Sequence, residues 1–161
     1  FRSNLFYSEH AVARKIKSPV EMVVGIMRGL SIKTDLTQVA QRLQEIGHGI
    51  YFPPNVKGWD GGRTWINSST LLGRSNLMHA LIHSENTTFG NTSLPAHLQN
   101  NRILSLEHAA TYFSDMFCAV PLADKSKSQL IASARKESSN TEQQFKSLLH
   151  QVVSLPQFQL G

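Results

Sequence analysis

The chain has 161 residues, of which 40% are hydrophobic and 17% are charged, and its formal net charge is +5. This length and composition exclude a highly charged disordered chain and predict a globular domain large enough to bury a core. No apolar run is long enough for a transmembrane helix, and the single cysteine, Cys118, excludes an internal disulfide.

Capping residues and apolar spacing predict two helices before residue 47. The segment Ser18–Glu21 has the residues of a capping box, and the helix that it begins should end at about Gly29. Asp35 is placed to begin the second helix, and Gly47 is placed to end it.

Glycine and proline then concentrate in residues 47–66, a segment that also contains both tryptophans. Its glycines suit turns with positive φ, and Pro53-Pro54 removes two backbone donors. These features predict a long ordered loop, with short extended pieces at residues 50–52 and 63–66.

Helical patterns return after this loop. Asn67 or Ser68 is placed to cap a third helix that ends near Ser84, and the polar residues 85–101 predict a connecting loop. Three further helices are predicted at Ser105–Cys118, at Asp124–Lys136 and between Asn140 and Pro156. The sequence therefore predicts a mainly all-α single domain over residues 1–161, with about six helices and the Gly/Pro/Trp-rich loop in its middle.

Three segments carry a family resemblance. The string FPPNVKGWDGGRTWINSSTLLGRSN at Phe52–Asn76 resembles the hallmark of a bacterial family called domain of unknown function 1800. Lys15–Glu21 is similar to a helix start in that family, and Ser154–Gln159 is similar to its closing segment. Members are usually longer, so the resemblance implies that this chain is the C-terminal part of a longer protein.

The resemblance implies a setting and a partner rather than a reaction. The family's activity is unassigned, and no cofactor follows from it. Many members look exported, which implies an extracytoplasmic protein, either periplasmic or secreted. Members are often encoded beside proteins that resemble sulfatases and alkaline phosphatases, which implies a partner protein of that kind. The sequence departs from the family pattern at His48.

The loop places two indoles, one carboxylate and two cations within the nine residues Lys57–Trp65. Indole faces stack on sugar rings or cations, and Asp and Arg bond hydroxyl or anionic groups. We therefore predict a carbohydrate or an anionic ligand here, and the candidate binding residues are Trp59, Asp60, Arg63, Trp65, Asn67 and Arg74. The competing interpretation is structural: the indoles fill the core, and the polar side chains, Arg74 among them, hold the loop.

His79 and His83 are four residues apart on the third predicted helix, which is a metal-ligand spacing. Ala80 stands where a zinc protease would have its glutamate, and a third ligand would have to come from elsewhere, such as Glu85, His97 or His108. We predict surface histidines and no metal site.

Nothing in the sequence supports catalysis by this chain alone. No serine has a nucleophile motif, and Cys118 lies among apolar residues as a buried, inert thiol would. The basic residues form no long cluster, so nucleic acid is not a predicted partner. The leading hypothesis is a non-catalytic interaction or ligand-binding domain centred on residues 51–76. The alternative is the C-terminal half of a hydrolase-like enzyme, with Asp60, Arg63 and Arg74 in one cleft.

Overall fold

The computed structural model describes residues 3–4, 8 and 10–161. Within these ranges the chain is mainly helical, as predicted, and has eight α-helices. They are α1 Pro19–Gly29, α2 Leu36–Glu45, α3 Ser68–His83, α4 Leu94–Asn100, α5 Leu106–Phe117, α6 Asp124–Glu137, α7 Thr141–Ser154 and α8 Pro156–Gln159. Two short strands, β1 Ile32–Lys33 and β2 Thr88–Phe89, pair antiparallel, with Ile32 opposite Phe89.

The predicted caps explain where most helices begin. Ser18 forms the expected capping box with Glu21 at the start of α1, and Asp35 accepts hydrogen bonds from the first turn of α2. Ser105 and Asn140 cap α5 and α7 in the same way. These side chains satisfy backbone donors that a helix leaves unpaired at its start, so the local sequence sets these boundaries.

The structure corrects three predictions. Residues 85–101 are not only a loop, because they contain β2 and α4. Residues 50–52 are not extended, because Ile50 and Tyr51 form a turn, and residues 63–66 are not extended, because Gly62–Trp65 is a 3-10 helix. The prediction that the last long helix ends before Pro156 is confirmed, and Pro156 also lies in the first turn of α8, where its missing N–H costs no hydrogen bond.

Helix α7 lies at the centre of the core. It packs against α3, α5 and α6, and also against α4 and α8. Its residues Leu148, Leu149, Val152 and Val153 are fully buried. The helices that contact α7 bury their apolar stripes against it, and this burial holds them around α7 as a bundle.

The segment before α1 meets the last residues of the chain beside this core. Ile16 and Leu160 form an antiparallel bridge, and Lys15 and Gly161 exchange backbone hydrogen bonds. Next to them, the backbone N–H of Lys17 donates to the carbonyl of Gln159 at 2.8 Å. The segment before α1 is thereby fixed to the segment that follows α7.

Candidate functional site

Residues 47–66 leave the end of α2 and return to α3 through the 3-10 helix. Local hydrogen bonds hold this loop in place: Lys57 N–H donates to Asn55 Oδ1 at 2.8 Å, and Thr64 Oγ1 donates to the Gly61 carbonyl at 2.6 Å. Gly61 and Gly62 have φ values of 74° and 56°, a region that favours glycine. The loop is therefore ordered by its own turn chemistry, as the sequence predicts.

Three aromatic rings of the loop pack on one another. His48 lies between the two indoles, with its ring centroid 4.6 Å from that of Trp65 and 4.7 Å from that of Trp59. The His48 and Trp65 planes are nearly parallel, at 20°. Trp65 is buried, so the packing interpretation of the tryptophans holds for this one.

His48 and Trp59 each keep one buried polar atom without a partner. Within the described part of the chain, neither His48 Nδ1 nor Trp59 Nε1 has a hydrogen-bond partner. Burial lowers the pKa of His48, so its imidazole is neutral at neutral pH. Unpaired buried polar atoms carry a free-energy cost, and they are uncommon away from binding surfaces and active sites.

Trp59 lies between two cavities of different character. One has a volume of about 460 Å³ and an apolar lining formed by Val20, His48, Ile50, Tyr51, Pro53 and Trp59. The other, of about 230 Å³, has a mixed lining formed by Ile46, Gly47, Pro54, Trp59, Asp60, Thr64, Trp65 and Thr70. One partly buried indole thus separates an apolar recess from a recess with a carboxylate and two hydroxyls.

A larger polar cavity adjoins the second one. It has a volume of about 480 Å³ and lies between the end of α2 and the start of α3. Its lining includes Arg42, Glu45, Ser69 and Asn76, and it shares Ile46, Gly47 and Thr70 with the cavity beside Trp59. The two cavities therefore form a polar groove that continues past the indole.

The remaining candidate residues of the loop separate into two groups. Asp60 and Arg63 are exposed, and they form no ion pair with each other within the described ranges. Asn67 is the N-cap of α3: its Oδ1 accepts the N–H of Thr70 at 2.9 Å. Its side chain stabilises the helix start, while Asp60 and Arg63 are free to meet a ligand.

Arg74 lies in the interior, away from this groove's lining. Its side chain is 1% exposed, Nη1 donates to Gln159 Oε1 at 2.9 Å and Nη2 donates to the Lys17 carbonyl at 2.9 Å. Arg74 does not anchor the loop carbonyls, because its partners, Lys17 and Gln159, belong to the segments before α1 and after α7. Burial without a carboxylate partner lowers the pKa of Arg74 to about 10.

Comparison with known proteins identifies the family. The sequence profile of a family described as "Protein of unknown function (DUF1800)" matches residues 1–160. The chain belongs to the DUF1800 family. No curated protein and no solved structure gives a significant match to the chain.

The DUF1800 chain exposes several apolar side chains at the outer end of its loop. Tyr51 is 92% exposed, Phe52 is 70% exposed, and Val56 is fully exposed. Tyr51 also has a φ of 67°, a conformation that a bulky residue rarely adopts. The sequence alone does not predict this surface, because apolar residues beside a Pro-Pro pair are as compatible with a buried loop as with an exposed one.

A histidine cluster lies elsewhere in the DUF1800 fold, on α3 and α7. His79 and His83 stack with centroids 4.2 Å apart, and His150 stands edge-on to His79 at 5.1 Å. The sequence did not indicate His150, because its proximity follows only from the packing of α7 on α3. No group of three or more potential ligands in the described segments is arranged to hold a metal ion.

A serine also lies beside His150, but the geometry does not activate it. Ser75 Oγ is 3.2 Å from His150 Nε2, and the Ser75 backbone carbonyl lies at the same distance from that nitrogen. A carbonyl only accepts hydrogen bonds, so Nε2 carries the proton and is not a base for the hydroxyl.

Among the described helices, none is long and apolar enough to cross a membrane.

Proposed function

We propose that this DUF1800 domain is a non-catalytic module that binds a carbohydrate through the Trp59 face. We define this face by Tyr51, Trp59, Asp60 and Thr64. The observation that carries the proposal is the position of Trp59 between an apolar cavity and one of mixed lining that contains Asp60 and Thr64. A sugar ring has the same two-sided chemistry, with a C–H surface that suits aromatic rings and hydroxyls that bond polar side chains.

The polar groove extends the proposed site beyond one sugar unit. Asp60 and Thr64 lie beside the indole, and Ser69 and Asn76 line the groove farther along. A carboxylate accepts hydrogen bonds, whereas hydroxyl and carboxamide groups both accept and donate them, and recognition of successive sugar hydroxyls requires both functions. Exposed Arg63 adds a cation that would favour a carboxylated or sulfated sugar.

The hydrolase alternative has less support. It needs Asp60, Arg63 and Arg74 in one cleft, whereas Arg74 is buried with Gln159 and Lys17. A protein partner, such as the sulfatase- or phosphatase-like one, would contact the exposed Tyr51 and Phe52. An extracytoplasmic location would suit the carbohydrate proposal, because it would give the domain access to extracellular polysaccharides. The protein partner and the extracytoplasmic location both stay predictions from the family resemblance.

Intrinsic fluorescence provides the test, since both tryptophans of the chain lie at the site. The protein is titrated with a neutral polysaccharide, xylan, and an acidic one, polygalacturonate, at low and high salt. Binding to either one is expected to change the emission. A salt-sensitive preference for polygalacturonate would indicate a role for Arg63, because exposed charges are screened by salt.

Two variants locate the binding. Asp60→Asn changes an exposed side chain, so it is expected to leave the fold intact and to weaken binding about tenfold, or about 1.4 kcal/mol. Asp115→Asn, at an exposed position on α5, is the matched control and is expected to bind normally. The proposal would be ruled out if the folded protein bound neither polysaccharide, or if the two variants bound equally tightly.

A further inference from the structure

The three clustered histidines join two helices of the core. His79 and His83 lie one turn apart on α3, and their rings are nearly parallel, at 14°. His150, on α7, is edge-on to both, with its centroid 5.1 Å from that of His79 and 6.5 Å from that of His83. We infer that this cluster is an acid-responsive contact that opens α3 from α7 when the surroundings become acidic.

His83 and His150 enter the contact as neutral rings. Burial is the main cause that lowers the pKa of His83 to about 4, and His79, Lys146 and His150 lower it further. Burial is also the main cause that lowers the pKa of His150. At neutral pH these two imidazoles are uncharged, so they pack against each other and against His79 without repulsion.

The charged groups around the cluster act on its protonation in opposite directions. Lys146, on α7, is a cation, and its Nζ is paired with Glu142 at 2.8 Å. Glu137, at the end of α6, is the acidic group that raises the pKa of both His83 and His150. Its carboxylate already accepts hydrogen bonds from Ser147 and Gln151. No carboxylate within ion-pair distance of the three rings is present in the described residues.

Acid therefore acts on the distance between the helices. Protonating His150 together with one histidine of α3 would put two positive charges on facing rings of the two helices, beside Lys146 and partly shielded from water. Separation of α3 from α7 relieves this repulsion and returns the rings to water, where an imidazole protonates near its ordinary pKa. The hydrogen bond from His150 to the Ser75 carbonyl survives protonation of His150, so the opening should be confined to the turns of α3 that follow Ser75 and to the turns of α7 that face them.

The inference concerns a different surface from the proposed carbohydrate site, since none of these histidines lines the Trp59 face. Its consequence for function would be a local change at the far end of α3, the helix whose first turns line the polar groove. The contact can thus respond to acid whether or not the domain binds a sugar.

Hydrogen exchange measured by mass spectrometry tests the inference. The full chain is compared at about pH 7.5 and about pH 5, in the presence of a chelator, with exchange times corrected for intrinsic rates. Peptides covering residues 76–83 and 146–153 are expected to exchange about tenfold faster at the lower pH, while α5 keeps its protection. Equal protection at both pH values, or equal acid loosening of every helix, would overturn the inference.

Variants assign the effect to the cluster. His83→Gln removes one titrating ring, and it is expected to abolish most of the acid-dependent exchange in both segments. His108→Gln, at an exposed position on α5, is the control and is expected to keep the whole effect. An acid response that persists unchanged in His83→Gln contradicts the inference. If His83→Gln does not fold, His79→Gln replaces the exposed ring of the stacked pair and carries the same expectation.

Discussion

Arg74 Nη1 donates a hydrogen bond to Gln159 Oε1 at 2.9 Å, across 85 positions of the sequence. The same guanidinium donates to the carbonyl of Lys17, which lies in the segment before α1. One side chain of α3 thus holds both the first and the last segments of the core together. An arginine suits this position because its planar fork donates in several directions at once.

Replacement of Arg74 by lysine should destabilise the fold. Lysine keeps the charge, but its ammonium cannot bond Gln159 and Lys17 in the geometry of the fork, and a buried acceptor is left unpaired. The free energy of unfolding is expected to fall by about 2–4 kcal/mol, as measured by denaturant titration.

Arg63→Lys is the matched control, because Arg63 is exposed on the loop. It is expected to change the free energy of unfolding by less than about 0.5 kcal/mol. A stable Arg74→Lys protein that loses binding to the polysaccharides would instead assign Arg74 to a ligand.

Two helical glycines should respond to alanine with opposite signs. A Cβ at Gly25, in α1, meets no atom within 4 Å, whereas a Cβ at Gly73, in α3, would lie 2.5 Å from Ile46 Cγ2. Gly25→Ala is expected to raise the free energy of unfolding by about 0.5–1 kcal/mol, since alanine favours the helix. Gly73→Ala is expected to lower it by about 1–3 kcal/mol, because α2 has to move.

A double-mutant cycle checks the cause of the Gly73 effect. Ile46→Ala removes the methyl group that the new Cβ would meet, so Gly73→Ala should cost less in that background than in the parent protein. Additive effects of the two substitutions would show that the close approach of Ile46 is not responsible. Thermal and denaturant unfolding measure all four proteins.

The sequence predicts the helices of this fold better than it predicts their contacts. Ser18, Asp35 and Asn67 act locally on the turn that follows them, so capping patterns locate the starts of α1, α2 and α3. Strand β2 was missed because two residues carry no periodicity, and it exists only through its pairing with Ile32 and Lys33.

Helix α4 was missed for a different reason. Pro95 in its first turn and the apolar pair Leu94 and Leu98, both fully buried, are a helix signal within the residues predicted as a loop. The surrounding Asn, Thr and Gly residues outweighed that signal in the prediction. Composition averages over a segment, whereas seven residues are enough for a helix that buries two leucines.

The sequence predicts where the candidate site lies in the chain, but it does not predict which side chains contact one another there. The composition of residues 47–66 indicates an ordered aromatic loop, and Asn67 lies where a helix cap is expected. The packing of His48 on two indoles depends on how the loop folds back on itself, and the approach of His150 to His79 depends on how α7 packs on α3. Sequence spacing contains no information on such contacts, so neither histidine could be assigned a neighbour.

The thiol of Cys118 should react slowly in the folded protein. It is buried at the end of α5, and burial raises its pKa, while the nearby charge of Lys17 acts in the opposite direction. A raised pKa means less thiolate at a given pH, and the thiolate is the reactive form. Reaction with a disulfide reagent at about pH 8 is expected to be about 100-fold slower than in the unfolded chain. Equal rates would show that Cys118 is accessible.

Glycine at position 51 should stabilise the protein while weakening ligand binding. Tyr51 has a φ of 67°, which costs a residue with a Cβ about 1 kcal/mol, and its side chain is 92% exposed, so little packing is lost on its removal. Tyr51→Gly is therefore expected to raise the free energy of unfolding by up to about 1 kcal/mol.

The neighbouring Phe52 provides the control for this prediction. It is 70% exposed but has no positive φ, so Phe52→Gly is expected to lower the free energy of unfolding by about 0.5–1 kcal/mol. If Tyr51 contributes to the Trp59 face, Tyr51→Gly should bind polysaccharide less tightly although it is more stable. Such a trade of stability for binding is expected where strain holds a side chain at a functional surface. A Tyr51→Gly protein that is less stable than the parent would show that the tyrosine side chain contributes more by packing than its φ costs.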